Sequence, residues 1–311
     1  MRGLPLRFVI VAVAALLIPA ALSVAAGGAE GRIVVASKID TEGALLGNMI
    51  ASLLEARGFT VENKLQLGPT NIVRAAILAG QIDIYPEYTG NGALFFHREE
   101  DPEWKDWAQG EAAVAMLDRE KNALVWLAPA PANNTWTIAL RRDLAEPHGL
   151  ETMDDFARYL AGGGRIKLAA SAEFVESPSA LPAFEATYGF RLSDAQLLTL
   201  SGGNTSATLR AAAEGMSDVN AAMAYGTDGA VAALGLVALR DDKGAQIVYA
   251  PAPVVREVVF RLHPEIARIL DPVFATLTLE TLQSLNAEIA VDGKDAEAVA
   301  VSYLKSRHFL P

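Results

Sequence analysis

Apolar and polar positions along this chain follow two periods, and the switches between them lay out an architecture. Ile33 to Ala36 is a short apolar run that reads as a strand. From about Thr41 to Arg57, Leu45, Leu46, Met49, Ile50, Leu53 and Leu54 recur at helical spacing, and Gly58 supplies the stop. The same reading predicts a strand over 61–65, a helix over 71–79 closed by Gly80, and a strand over 82–85. A helix over 111–121 and a strand over 123–127 follow, and Pro129 and Pro131 then mark a crossing. At Trp136 the pattern restarts, with a strand over 136–140, a helix over 153–161, a glycine break at 162–164 and a strand over 166–169. Helices are expected over 180–188 and 205–213. After the turn-forming stretch 241–244, strands are expected over 247–249 and 254–260. Three helices, over 265–275, 279–289 and 296–307, complete the chain. Strands alternating with amphipathic helices predict an α/β fold.

One internal similarity sharpens this picture. Thr70-Asn71-Ile72-Val73-Arg74-Ala75-Ala76 leads to Gly80, then Asp83, then Tyr88-Thr89-Gly90-Asn91-Gly92-Ala93. Thr205-Ser206-Ala207-Thr208-Leu209-Arg210-Ala211-Ala212 leads to Gly215, then Asp218, then Tyr225-Gly226-Thr227-Asp228-Gly229-Ala230. Each copy reads as helix, glycine stop, short strand and a tyrosine opening a glycine-rich turn. Chance between two alanine-rich helices is the competing explanation. The pattern favours two similar lobes, each presenting a tyrosine at a strand's carboxyl end, where open α/β sheets bind ligands.

Composition changes the picture at the N-terminus. Arg2 and Arg7 precede an apolar stretch from Phe8 to Leu22, and the small residues Ser23-Val24-Ala25-Ala26 follow. Basic, apolar, small is the order of a secretory signal peptide, placed at residues 1–26. An uncleaved anchor is disfavoured, because the run is about 15 residues where a spanning helix needs roughly 20, and Pro19 interrupts it. The chain has no cysteine, so neither disulfides nor a lipid on an N-terminal cysteine enter the account. A freely diffusing periplasmic protein is expected. The formal charge is −11, and removal of Arg2 and Arg7 would take it to −13, which argues against nucleic acid and anionic membranes as partners.

Catalysis finds no support in the residues. His97, His148, His263 and His308 are scattered without metal-ligand spacing, and no nucleophile elbow, phosphate loop or dinucleotide fingerprint is present. No cofactor or metal is called for. Binding is better supported. Tyr88 and Tyr225 open the repeated turns, Trp136 begins the second half after Asn133-Asn134-Thr135, and Tyr249 precedes Pro251 and Pro253. Taken singly, each reads more readily as a core or rim residue than as a ligand contact. As a set at element boundaries they favour a cleft. Aromatic faces hold a quaternary ammonium, which has no hydrogen to donate, with about 0.5–2 kcal/mol per ring.

The sequence resembles the glycine betaine/choline-binding family of ABC-importer receptors. The matching segments are Ser37 to Met49, Ile82 to Gly92, Pro129 to Thr137 and Ala224 to Gly229. The resemblance implies a two-lobed periplasmic-binding-protein fold of type II, crossed twice by the chain, with a ligand cleft between lobes. Lobe I would take residues 32–132 plus 246–311 and lobe II residues 133–245. It implies a cage of Tyr88, Trp136, Tyr225 and Tyr249, with Lys38 contacting a ligand carboxylate and Asn91 a small polar contact. Relatives with high betaine affinity carry an arginine shortly after a Glu-Phe pair, whereas here Glu173-Phe174 runs on into Val175-Glu176-Ser177-Pro178. Glu176 and Ser177 thus stand where a fork-shaped carboxylate partner would be. The implied function is capture of a quaternary-ammonium osmoprotectant by a monomeric receptor serving a permease and an ATPase. Another small zwitterion or cation (carnitine, ergothioneine, an amino-acid derivative) is the alternative cargo, and a periplasmic enzyme on the same scaffold the remaining one.

Overall fold

A computed structural model describes residues 32–200 and 205–311, so the signal peptide expected at 1–26 lies outside the described residues. Among the described residues ten strands form two five-stranded sheets. The first holds β1 (Arg32–Lys38), β2 (Thr60–Gly68), β3 (Ile84–Tyr88) and β4 (Leu124–Trp126). The second holds β5 (Trp136–Arg141), β6 (Leu168–Ser171), β7 (Leu197–Leu200), β8 (Ala221–Tyr225) and β9 (Leu236–Ala238). The last strand, β10 (Pro251–Arg256), returns to the first sheet. The strand orders are β2-β1-β3-β10-β4 and β7-β6-β8-β5-β9.

These orders are the same pattern twice. In each sheet two strands pair in parallel with a third, and the fourth place is an antiparallel strand that begins just after a crossing: β10 beside β3, β5 beside β8. The repeated sequence unit therefore occupies equivalent positions. Helix Thr70–Leu78 precedes β3 and helix Thr205–Ala213 precedes β8. Gly80 and Gly215 close those helices at φ +69° and +65°, a left-handed conformation that glycine adopts without strain.

Separate apolar cores support the two sheets. Helix Thr41–Ala56 turns Leu45, Leu46, Met49, Ile50, Leu53 and Leu54 into the first, against Ile33 and Val35 of β1 and the C-terminal helices. Phe156, Phe174, Phe184 and Ile138 anchor the second. Among the described residues no helix is long and apolar enough to cross a membrane.

Several local expectations give way. β3 starts at Ile84 and runs through Pro86 to Tyr88, rather than ending at Tyr85. Pro86 pairs with Pro253 of β10, so two residues lacking an N–H share one rung instead of interrupting two. Residues 247–249 form no strand. They are an extended crossing whose backbone is served by side chains and loops, since Val248 N–H donates to Trp104 carbonyl and Tyr249 N–H to Asn133 Oδ1. The strand expected over 254–260 ends at Arg256, and Glu257–Leu262 is a helix. Its β-branched Val258 and Val259 imitate a strand, but Glu257 suits a helix first turn and packing decides.

The two crossing segments are tied to one another. Asn134 N–H donates to the Tyr249 carbonyl at 2.9 Å, and Thr135 Oγ1 donates to the Ile247 carbonyl at 2.8 Å.

Candidate functional site

A cavity of about 670 Å³ lies where the carboxyl ends of strands from both sheets meet the crossings. Lys38 ends β1, Tyr88 ends β3 and Tyr225 ends β8, while Trp136 begins β5 and Tyr249 precedes β10. Thr41 and Thr205 start helices on its wall. This is the position where the chemistry of α/β sheets converges.

Of the residues singled out from sequence, the structure brings Lys38, Tyr88, Asn91, Trp136, Tyr225 and Tyr249 to this one cavity. Trp136 and Tyr225 face each other across a β5–β8 rung and stack, with ring centroids 4.2 Å apart at 23°. Phe174 meets Trp136 edge-on at 5.4 Å and fixes the stack from the core side. Burial raises the Tyr225 and Tyr249 phenols above their ordinary range, so both are neutral hydroxyls across the physiological span.

Glu176 and Ser177 are not brought there. Glu176 is exposed, Ser177 is half-buried with its hydroxyl against that of Ser179, and neither lines the cavity. The reason is Pro178, which disfavours helix at the residue before it; the helix Ala172–Glu176 stops and Ser177 turns extended. Glu173, one turn earlier, is the carboxylate of this segment that lines the wall.

A buried polar network stands behind the tyrosines. Glu87, fully buried on β3, pairs with the Lys38 ammonium and accepts from the Tyr88 N–H at 2.7 Å, Asn91 Nδ2 at 2.7 Å and the Tyr85 hydroxyl at 3.1 Å. The Lys38 ammonium also lies over the Tyr88 ring, 4.6 Å from its centroid. Lys38 and Asn91 are thus both held by one carboxylate, which satisfies a charge pair that burial would otherwise make costly.

Glu42 is the second buried carboxylate. It accepts from the Tyr88 hydroxyl at 2.7 Å and from Asn286 Nδ2 at 2.7 Å, with Asn134 Nδ2 at 3.4 Å. Burial pushes its carboxyl up to about 7; the donors Tyr88, Thr227 and Asn286 pull the other way, and the charge of Asp40 adds to the rise. Tyr88 in turn is raised well above its ordinary range, by burial first and by the Glu42 charge next. Asp228 is also raised by burial and is held by the Tyr225 N–H at 2.9 Å.

Sequence reasoning did not single out Glu42, Glu87, Asn134, Asn286 or Asp228. Glu42 sits where first-turn acids of helices are ordinarily solvated, but here it is buried beneath tertiary partners that include Tyr88 and Asn286. Glu87 carried one usable signal, a charge inside an otherwise apolar strand. No group of histidine, aspartate and glutamate able to hold a metal occurs among the described residues.

Glycines let the second lobe's turn approach its neighbours. A Cβ on Gly226 would stand 2.2 Å from the Asn133 carbonyl, and one on Gly229 would stand 2.1 Å from the Ala287 backbone nitrogen. Gln283 Nε2 and Asn286 Nδ2, from helix Leu279–Ala290, donate to the Gly226 and Thr227 carbonyls at 2.7 and 3.0 Å.

Comparison with known proteins agrees with this geometry. The family model described as the substrate-binding domain of an ABC-type glycine betaine transport system matches residues 31–306. The chain is 60% identical over 279 residues to the glycine betaine-binding protein YehZ of Escherichia coli, covering 90% of this chain and 92% of that one. It is 32% identical to a glycine-betaine-binding protein of Pseudomonas aeruginosa, over 92% of this chain and 91% of that one. The solved apo structure of Escherichia coli YehZ superposes with a TM-score of 0.85 at 59% identity, covering 89% of this chain and 99% of that one.

Proposed function

Since the chain belongs to the family of substrate-binding domains of ABC-type glycine betaine transport systems, we propose that its cavity captures a quaternary-ammonium solute of the glycine betaine/choline class in an aromatic cage. The observation that carries this reading is the convergence of Tyr88, Trp136, Tyr225 and Tyr249 on one cavity built by both sheets. A trimethylammonium head is stabilised by ring faces and has no N–H to donate to a hydrogen-bond acceptor, so a wall of rings is the matching surface. The relatives named for glycine betaine support the same cargo.

The protein works as a receptor that returns its ligand unchanged, not as an enzyme. Lobe I comprises residues 32–132 and 246–311 and lobe II residues 133–245, joined by the two tied crossings. Contact with rings of both lobes favours the closed arrangement, and the closed, loaded receptor is what the permease and its ATPase accept. A signal peptide at residues 1–26 delivers a monomer to the periplasm, where uptake of such solutes answers osmotic stress.

Titration calorimetry of solute-free protein against glycine betaine, choline and carnitine tests the reading. One-to-one binding of at least one trimethylammonium ligand, recovered unaltered by NMR, is the expected result. Folded protein that binds none of them, or that converts one, overturns it.

A further inference from the structure

The described wall of the cavity carries one cation, Lys38, and four carboxylates, Asp40, Glu42, Glu173 and Asp228. The cation is already committed, because its ammonium is bonded to the fully buried Glu87. Asp40 accepts from the Gly43 N–H as the cap of its own helix, and Asp228 accepts from the Tyr225 N–H. Glu42 differs from these. It is buried, its partners are hydroxyls and amides, and no cation is bonded to it among the described residues.

Its surroundings point the same way. Asn286 and Asn134, both on the cavity wall, each leave a buried side-chain oxygen without a partner among the described residues. The orientation of the Asn286 amide is set by its own bonds, since its Nδ2 donates both to Glu42 and to the Thr227 carbonyl. This corner therefore offers the cavity acceptors and no free donor of charge.

We infer that Glu42 is the residue through which the cavity weighs ligand charge: bonded to the Tyr88 hydroxyl, its carboxylate draws an ammonium head and opposes a carboxylate carried by the ligand. The inference rests on the quaternary-ammonium reading of this cavity. A head lying against Tyr88 is within a ring's breadth of the Glu42 oxygens, in a desolvated setting where charges act far more strongly than in water. A phenol donating to a carboxylate also holds a more negative ring face. A monocation such as choline gains from both effects, whereas a zwitterion gains at its head and loses at its tail.

Lys38 cannot cancel that loss, because the Glu87 carboxylate already faces it. The other charged groups on the described cavity wall are Asp40 from its own helix cap, whose charge acts on Glu42 directly, Asp228 after β8 and Glu173 from helix Ala172–Glu176, all acidic. With burial holding Glu42 at about 7, discrimination follows pH. As pH rises through that range Glu42 passes from mostly neutral, tolerating the ligand carboxylate, to mostly charged, opposing it.

Paired titrations of the purified protein with glycine betaine and with choline, at about pH 5.5 and about pH 8, test the inference on wild type and on Glu42→Gln. For wild type, the ratio of betaine affinity to choline affinity should fall about tenfold between the acidic and the basic condition. For Glu42→Gln the ratio should stay at its acidic value in both. A purely structural role would weaken both ligands together and leave the ratio unmoved. A ratio insensitive to pH in wild type overturns the inference while leaving the receptor reading intact, and this arm needs no variant to fold. Absence of binding by either ligand overturns both.

Discussion

The two tyrosine-bearing turns share one sequence pattern and sit at equivalent places in their sheets, yet they are anchored by opposite means. In the second sheet Tyr225 lies opposite Trp136, and the two rings stack with Phe174 behind them. In the first sheet the residue opposite Tyr88 is Pro251, which offers no ring. Tyr88 is instead held by polar groups, with its hydroxyl on Glu42, its N–H on Glu87 and the Lys38 ammonium over its face. One half of the cavity is therefore an aromatic wall set by packing. The other is an aromatic ring set by a buried charge network. Position in the fold follows from the repeat; what a ring can feel is decided by its cross-strand partner.

The largest effect expected from this contrast concerns the glycines that follow each tyrosine. A Cβ at Gly229 meets the backbone of residues 286 and 287, which cannot yield, whereas one at Gly92 meets the side chains of Trp104 and Val114. Gly229→Ala should cost about 3 kcal/mol of stability and Gly92→Ala less, as read by denaturant unfolding. Equal losses would mean that the turn and helix Leu279–Ala290 move together freely.

The network side of the comparison predicts a pH slope. The Glu42 carboxyl is raised from 4.5 to about 7 on folding, so its stabilising contribution is fully present below about 4.5 and is lost as pH rises through about 7. The change amounts to at most about 3 kcal/mol. Unfolding of ligand-free protein across that window should show the slope, and Glu42→Gln should flatten it.

On the packed side, Trp136→Ala should weaken glycine betaine binding at least about tenfold, or 1.4 kcal/mol. Pro251→Ala, at the matching rung, should leave affinity near that of wild type. Calorimetry separates the two, and a comparable loss at Pro251 would erase the distinction between the halves. Smallest of all is Glu176→Gln, exposed and off the wall, whose effect on stability should stay within about 0.5 kcal/mol.

Much of this is legible in the amino-acid sequence. Periodicity locates the long helices because Leu45 to Leu54 and their counterparts bury one helical face, and the repeat locates both tyrosines because a glycine stop and a tyrosine-glycine turn are local features. Six of the eight residues singled out line the cavity. The remainder is governed by contacts that sequence patterns do not carry. Residues 247–249 have strand-like composition but spend their backbone on the other crossing and on loops. Ser177 is turned away by the proline that follows it. Glu42 and Asn286 are brought together across 244 residues of sequence, and no local pattern reports such a contact.

The most direct test is a crystal structure of the protein with glycine betaine bound. The trimethylammonium group should lie within about 6 Å of the ring centroids of Tyr88, Trp136, Tyr225 and Tyr249. A ligand seated elsewhere, or one held by polar contacts with the four rings standing clear of it, would contradict the aromatic cage.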